Sequence, residues 1–166
     1  PWSMKVHAGF RVRLEETEDS WRSWLSGNWQ PTDGLLIRTK VQLTGWNGQL
    51  PDSSETGAGL EVKLRYSPFR RVQLDMGGAG CSTDGYSSRV YSGGVSFPGV
   101  FGSRTMYNRS FLFFAGISAE ITSDLFLRLG FSSLTMEDAS SMGSGWEETS
   151  GDSRSEMGVQ LDWAFQ

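Results

Sequence analysis

Met4-Lys5-Val6-His7-Ala8-Gly9-Phe10-Arg11-Val12-Arg13-Leu14-Glu15 puts apolar side chains at every even position and polar residues or glycine at every odd one. Neighbouring side chains of a β-strand point to opposite faces, so this stretch has one greasy face and one charged face. Helical spacing would scatter the same apolar residues around a cylinder. The period of two decides for strand, and it sets the fold for the rest of the chain.

The pattern returns along the sequence. Leu35, Ile37, Val41 and Leu43 alternate with Arg38, Lys40 and Gln42, and Leu60, Val62, Leu64 and Tyr66 with Glu61, Lys63 and Arg65. Val72, Leu74 and Met76 face away from Arg71, Gln73 and Asp75. Leu125, Leu127, Leu129 and Phe131 alternate with Phe126, Arg128 and Ser132, and Met157, Val159, Leu161, Trp163 and Phe165 with Glu156, Gln160 and Asp162. Residues 21–29 and 106–121 read as two less regular strands, the second containing Phe111-Leu112-Phe113-Phe114. Turn chemistry marks tight connections at Gln30-Pro31-Thr32-Asp33-Gly34, Ser67-Pro68-Phe69 and Thr122-Ser123-Asp124. Long connections are expected at 45–59, 77–104 and 135–154, with a shorter one at 17–20.

This is an all-β, antiparallel, up-and-down arrangement of about eight strands in a single domain spanning residues 1–166. Short turns at one end and long loops at the other is the order of a transmembrane β-barrel. The expectation covers a complete barrel or the C-terminal part of a larger one. Alternation does not by itself say which face points inward, because a lipocalin-like soluble barrel alternates too, with its apolar face inside. The lipid-facing reading draws on apolar alternation sustained long enough to cross the hydrocarbon. It draws also on aromatic residues near strand ends, including Trp21, Trp29, Tyr66, Trp163 and Phe165.

With the polar faces inward, the candidate lumen-lining residues are Lys5, His7, Arg11, Arg13, Arg38, Lys40, Glu61, Lys63, Arg65, Arg71, Asp75, Arg128, Glu156 and Asp162. Arg22, Glu15 and Glu120 share those faces. Both signs can sit in a narrow interior only where they pair or stay hydrated, so a self-satisfied ladder with a mildly cationic remainder is expected.

Composition closes off other classes. No run approaches 18 apolar residues, so no transmembrane helix is encoded. A net charge of −4 gives no nucleic-acid footprint. Lone Cys81 has no internal disulfide partner, and one cysteine with one histidine cannot build a zinc site. His7, a general base in principle, has no nucleophile-elbow serine near it in sequence and reads as structural. The acidic run 137–152 lacks calcium-loop spacing, and Asn108-Arg109-Ser110 carries a chance glycosylation triplet. Gly77-Gly78-Ala79-Gly80 lacks the Lys-Ser/Thr of a phosphate loop and reads as a flexible strand exit. No catalytic residue, metal ligand or cofactor site is therefore assigned. Arg89 and Tyr91 alternate with Ser88 and Val90 in a short strand inside the longest loop, where a plug or selectivity role is open beside that of a loop anchor.

Two motifs resemble a known family. Asp84-Gly85-Tyr86-Ser87-Ser88-Arg89-Val90-Tyr91 with Ser96-Phe97-Pro98-Gly99-Val100-Phe101-Gly102 is the first. The second is Gly143-Ser144-Gly145-Trp146-Glu147-Glu148 with Gly151-Asp152-Ser153-Arg154-Ser155-Glu156 and the last strand. Over about residues 57–166 the chain is similar to the C-terminal region of a poorly characterised outer-membrane β-barrel family whose precursors carry a helix-hairpin-helix region. It departs from that pattern at Gly93-Gly94 and Trp146. The resemblance implies a barrel in a Gram-negative outer membrane and offers no catalytic residues. The partners expected are outer-membrane lipid and the insertion machinery, which would read the C-terminal strand. A pore, transport component or membrane anchor is the first functional expectation; a membrane-embedded enzyme acting on lipid or peptide and a soluble carrier are the alternatives. The solute is not legible.

Overall fold

The computed structural model describes residues 2–14, 19–48, 53–93, 103–137, 139–142 and 149–163. Eight long strands form one antiparallel sheet: β1 (Ser3–Leu14), β2 (Asp19–Thr32), β3 (Leu35–Asn47), β4 (Ser54–Phe69), β5 (Val72–Thr83), β8 (Arg109–Thr122), β9 (Leu125–Met136) and β12 (Ser153–Trp163). Each pairs with the next in that order. Two short hairpins stand outside it: β6 (Val90–Gly93) with β7 (Ser103–Met106), and β10 (Ser141–Met142) with β11 (Thr149–Ser150).

Three tight turns, at Asp33-Gly34, Arg70-Arg71 and Ser123-Asp124, lie at one end of the sheet, and a register shift sits beside each. Strands extend further than alternation suggested. β3 and β4 leave only residues 48–53 between them, where 45–59 was expected to be loop. Gly77-Gly78-Ala79-Gly80 is the middle of β5 and not a strand exit. Glycine shows no face in a sequence, which is why these stretches read as loop. The turn expected at 67–69 falls instead on Arg70-Arg71, because β4 runs through Pro68 to Phe69. The stretch 106–121 is broken at Tyr107-Asn108, where Asn108 takes φ 55° and separates β7 from β8. Asparagine tolerates that left-handed conformation better than most residues.

The faces are sorted opposite to a soluble protein. Leu60 and Phe111 are 53% and 57% exposed, whereas Gln42, Glu61 and Thr44 are 3%, 5% and 4% exposed. The registers put Met4, Trp29, Leu43, Leu60, Met76, Phe113, Leu129 and Val159 on one outer face. Along the described residues of all eight strands the only charged residues on that face are Asp19 and Arg109, at the loop ends of β2 and β8.

The inner face wraps around the β6–β7 hairpin. Tyr91 of β6 stacks under Arg22 of β2, with the guanidinium carbon 4.4 Å from the ring centre. Arg104 of β7 pairs with Glu156 of β12. In a flat sheet β2 and β12 would lie roughly 29 Å apart, six strand spacings of about 4.8 Å. A two-stranded ribbon and two side chains cannot span that. The sheet is therefore curled around the ribbon. No ladder joins β1 to β12 among the described residues.

Candidate functional site: a hairpin seated on the polar face

The seat is built by β3 and β4. Gly57 and Gly59 give β4 a stretch without side chains, and the hairpin lies in it. A Cβ on Gly59 would stand 2.6 Å from Val90 Cγ1, and one on Gly57 would stand 2.5 Å from the Ser88 carbonyl oxygen. β3 supplies the flanking donors. Gln42 Nε2 donates to the Tyr91 carbonyl at 2.7 Å, and Thr44 Oγ1 donates to the Ser88 carbonyl. These groups are buried, so each satisfied bond avoids a desolvation cost of about 1–3 kcal/mol.

Glu61 is the centre of the seat. Its carboxylate accepts from Ser92 Oγ and from the Gly93 amide at 3.0 Å, and ion-pairs with Lys63 Nζ at 3.2 Å. Above Glu61, Glu55 accepts the Ser88 amide at 3.0 Å. Asp84 accepts both the amide and the hydroxyl of Thr56 at 2.8 Å. Those two bonds, the hydroxyl's first, hold the exposed Asp84 carboxyl below the usual carboxylate range. On the far side of the hairpin, Met106 packs with Ala79, Leu112 and Phe114 in a small buried apolar cluster.

Below the hairpin, toward the tight turns, the inner face carries paired charges. Arg65 bonds Asp75 at 2.8 Å, and they are direct cross-strand partners. Arg128 bonds Asp162 at 2.9 Å; at the opposite, loop end of β12, Arg154 bonds Glu156 at 2.9 Å. Lys63 also sits 5.3 Å over the Phe114 ring, whose edge fills the space above Gly77.

The candidates named from sequence are dispersed over this face. Glu61, Lys63 and Glu156 contact the hairpin or its seat, while Arg65, Asp75, Arg128 and Asp162 form the paired layer beneath. Lys40 lies directly across from Glu61. Arg38 is exposed and donates to Asn28 Oδ1 at 2.8 Å. Lys5, His7 and Arg11 lie along β1, exposed at the sheet edge, and Ser26 Oγ donates to the His7 carbonyl at 3.5 Å. Arg71 is elsewhere: it occupies a tight turn, exposed, 3.9 Å from Glu120. The side chain of Arg13 lies outside the described residues, as do Glu15, Phe165, residues 96–102 and most of the acidic run 143–148. Arg89 and Tyr91 hold each other, Arg89 Nε donating to Tyr91 Oη at 2.8 Å. Sequence reasoning missed Gly57, Gly59, Gln42 and Thr44. Two glycines two apart opposite two small polar residues were the available signal.

The fold and site define a class: a curled antiparallel meander with an apolar outer face, a polar inner face and an inserted hairpin. No family model matches the chain, and a search of curated proteins found no relative. Among solved structures it is similar to Neisserial surface protein A (NspA), with 15% identity over 99% of this chain and 95% of that one and a TM-score of 0.32. A likeness that distant carries no role from one chain to the other.

Proposed function

We propose that the chain is a non-enzymatic outer-membrane β-barrel whose interior is occupied by the β6–β7 hairpin, serving as a membrane anchor or as a pore that opens when the hairpin leaves its seat. The observation that carries this reading is the outer face, apolar on all eight strands and exposed. Water would penalise that surface at about 25 cal/mol per Å², and acyl chains would not. Strands of 11–16 residues meet or exceed the nine to eleven needed to cross the hydrocarbon at a tilt. Trp29, Tyr66 and Trp163 are exposed near the tight-turn end, where an interfacial girdle belongs. The motifs similar to helix-hairpin-helix-bearing barrel precursors point to the same membrane. Lipid, and insertion machinery engaging β12, are the partners this implies.

An eight-stranded barrel has an interior just wide enough for side chains to fill, and here the seated hairpin occupies much of that space. The resting state is therefore closed. Refolding into zwitterionic micelles should give a species that migrates faster unboiled than boiled, and planar bilayers should show little or no conductance. A chain that stays monomeric in detergent-free buffer and does not float with vesicles would overturn the membrane reading.

A further inference from the structure

At the loop end of the inner face, between β1–β3 and the hairpin, lies a cavity of about 430 Å³ whose lining includes Arg11, Arg22, Thr44, Ser87, Arg89 and Tyr91. Three arginines line it, two from the sheet and one from the segment that leads into the hairpin. Arg11 and Arg22 are direct cross-strand partners on the same face. Like charges directly opposite one another destabilise a sheet, so nothing in strand pairing accounts for the two together. Arg89 arrives from that leading segment, and the rings of Tyr91 and Tyr86 hold its guanidinium in place, at 5.9 Å and 4.6 Å.

Among the described residues no carboxylate pairs with any of the three arginines. The carboxylates of the hairpin seat are engaged elsewhere: Glu55 on the Ser88 amide, Asp84 on Thr56, Glu61 on Lys63 and the hairpin. Among the described residues Arg22 Nε, which is buried, has no hydrogen-bond partner. A buried guanidinium donor left without an acceptor is costly, and the group that relieves that cost most directly is an oxyanion.

We infer that this cavity binds the phosphate group of a small soluble solute. Three guanidinium groups without a carboxylate partner among the described residues match a dianion better than a single carboxylate, and the planar fork of arginine fits two phosphate oxygens at once. The cavity has room for an organic group beyond the phosphate itself. Because Arg11 and Arg22 belong to the sheet and Arg89 to the segment leading into the hairpin, a bound phosphate bridges the two and fixes the hairpin in its seat. The inference rests on the hairpin seating, and not on what surrounds the outer face.

Isothermal titration of the full chain in zwitterionic micelles with inorganic pyrophosphate tests it, at constant ionic strength held with chloride. Saturable one-to-one binding is expected, weakened tenfold or more in Arg22→Gln and in Arg89→Gln and unchanged in Arg109→Gln, whose side chain is on the outer face. Heat-modifiable migration of each variant checks that it has folded. If Arg22→Gln does not fold, Arg89→Gln, outside the eight-stranded sheet, carries the comparison alone. Absence of binding, or binding that all three variants retain, overturns the inference. Binding to phosphatidylglycerol vesicles with none to pyrophosphate also overturns it, in favour of a lipid headgroup. Failure to float with vesicles while pyrophosphate still binds would sink the membrane reading and leave this one standing.

Discussion

Glu61 and Gly59, two residues apart on β4, fix the hairpin by opposite means. Glu61 is a buried charge whose partners are a hydroxyl, an amide and an ammonium. Removing such a group strands its partners, so Glu61→Ala should weaken the seat by about 3 kcal/mol. The loss should appear as faster amide exchange at Gly93. Gly59 works by absence. Gly59→Leu places carbon where Val90 sits, and overpacking of about 1–3 kcal/mol should raise tryptic cleavage after Arg89 roughly tenfold. Asp84 adds a pH dependence. Its folded pKa is depressed, so its contribution is complete above the unfolded value of about 3.9 and disappears as pH falls through the lower folded value. The Thr56 amide shift should titrate below the ordinary aspartate midpoint, and Asp84→Asn should abolish that titration.

Elements show how much of this was legible in advance. Alternation marked six of the long strands clearly and two less regularly, and split their side chains into an apolar and a polar set, while turn residues marked the tight connections; each of those depends on side chains that differ from their neighbours. It could not follow β5 through Gly77, Gly78 and Gly80 or β4 through Gly57 and Gly59, where no side chain marks a face. The break at Tyr107-Asn108 was not legible, because the run Phe111-Leu112-Phe113-Phe114 that follows is apolar on both faces and sets no parity against which to place it. Arg11 and Arg22 were each assigned inward, yet their meeting depends on the β1–β2 register, which single-strand periodicity does not contain. One element-level outcome separates a lipid-facing outer surface from a wetted one. Leu60→Arg, near the middle of β4, should cost about 2–4 kcal/mol in vesicle-embedded protein, measured by urea unfolding. On a surface in water the same change would be close to neutral.

At the level of the whole molecule, the hairpin ties together parts of the chain that are far apart in sequence. Gln42 meets Tyr91 across 49 residues, and Arg104 meets Glu156 across 52. The curvature of the sheet depends on contacts made on both flanks of a ribbon that is itself only four residues long on each side. The ribbon thus serves as a mandrel, and the walls cannot take their final radius until it is in position. Topologies dominated by distant pairings fold slowly, since chain entropy is spent before those pairings form. A hairpin weakened by Glu61→Ala should therefore delay maturation of the heat-resistant species more than it lowers the amount finally reached, and a time course of the unboiled band would record that lag.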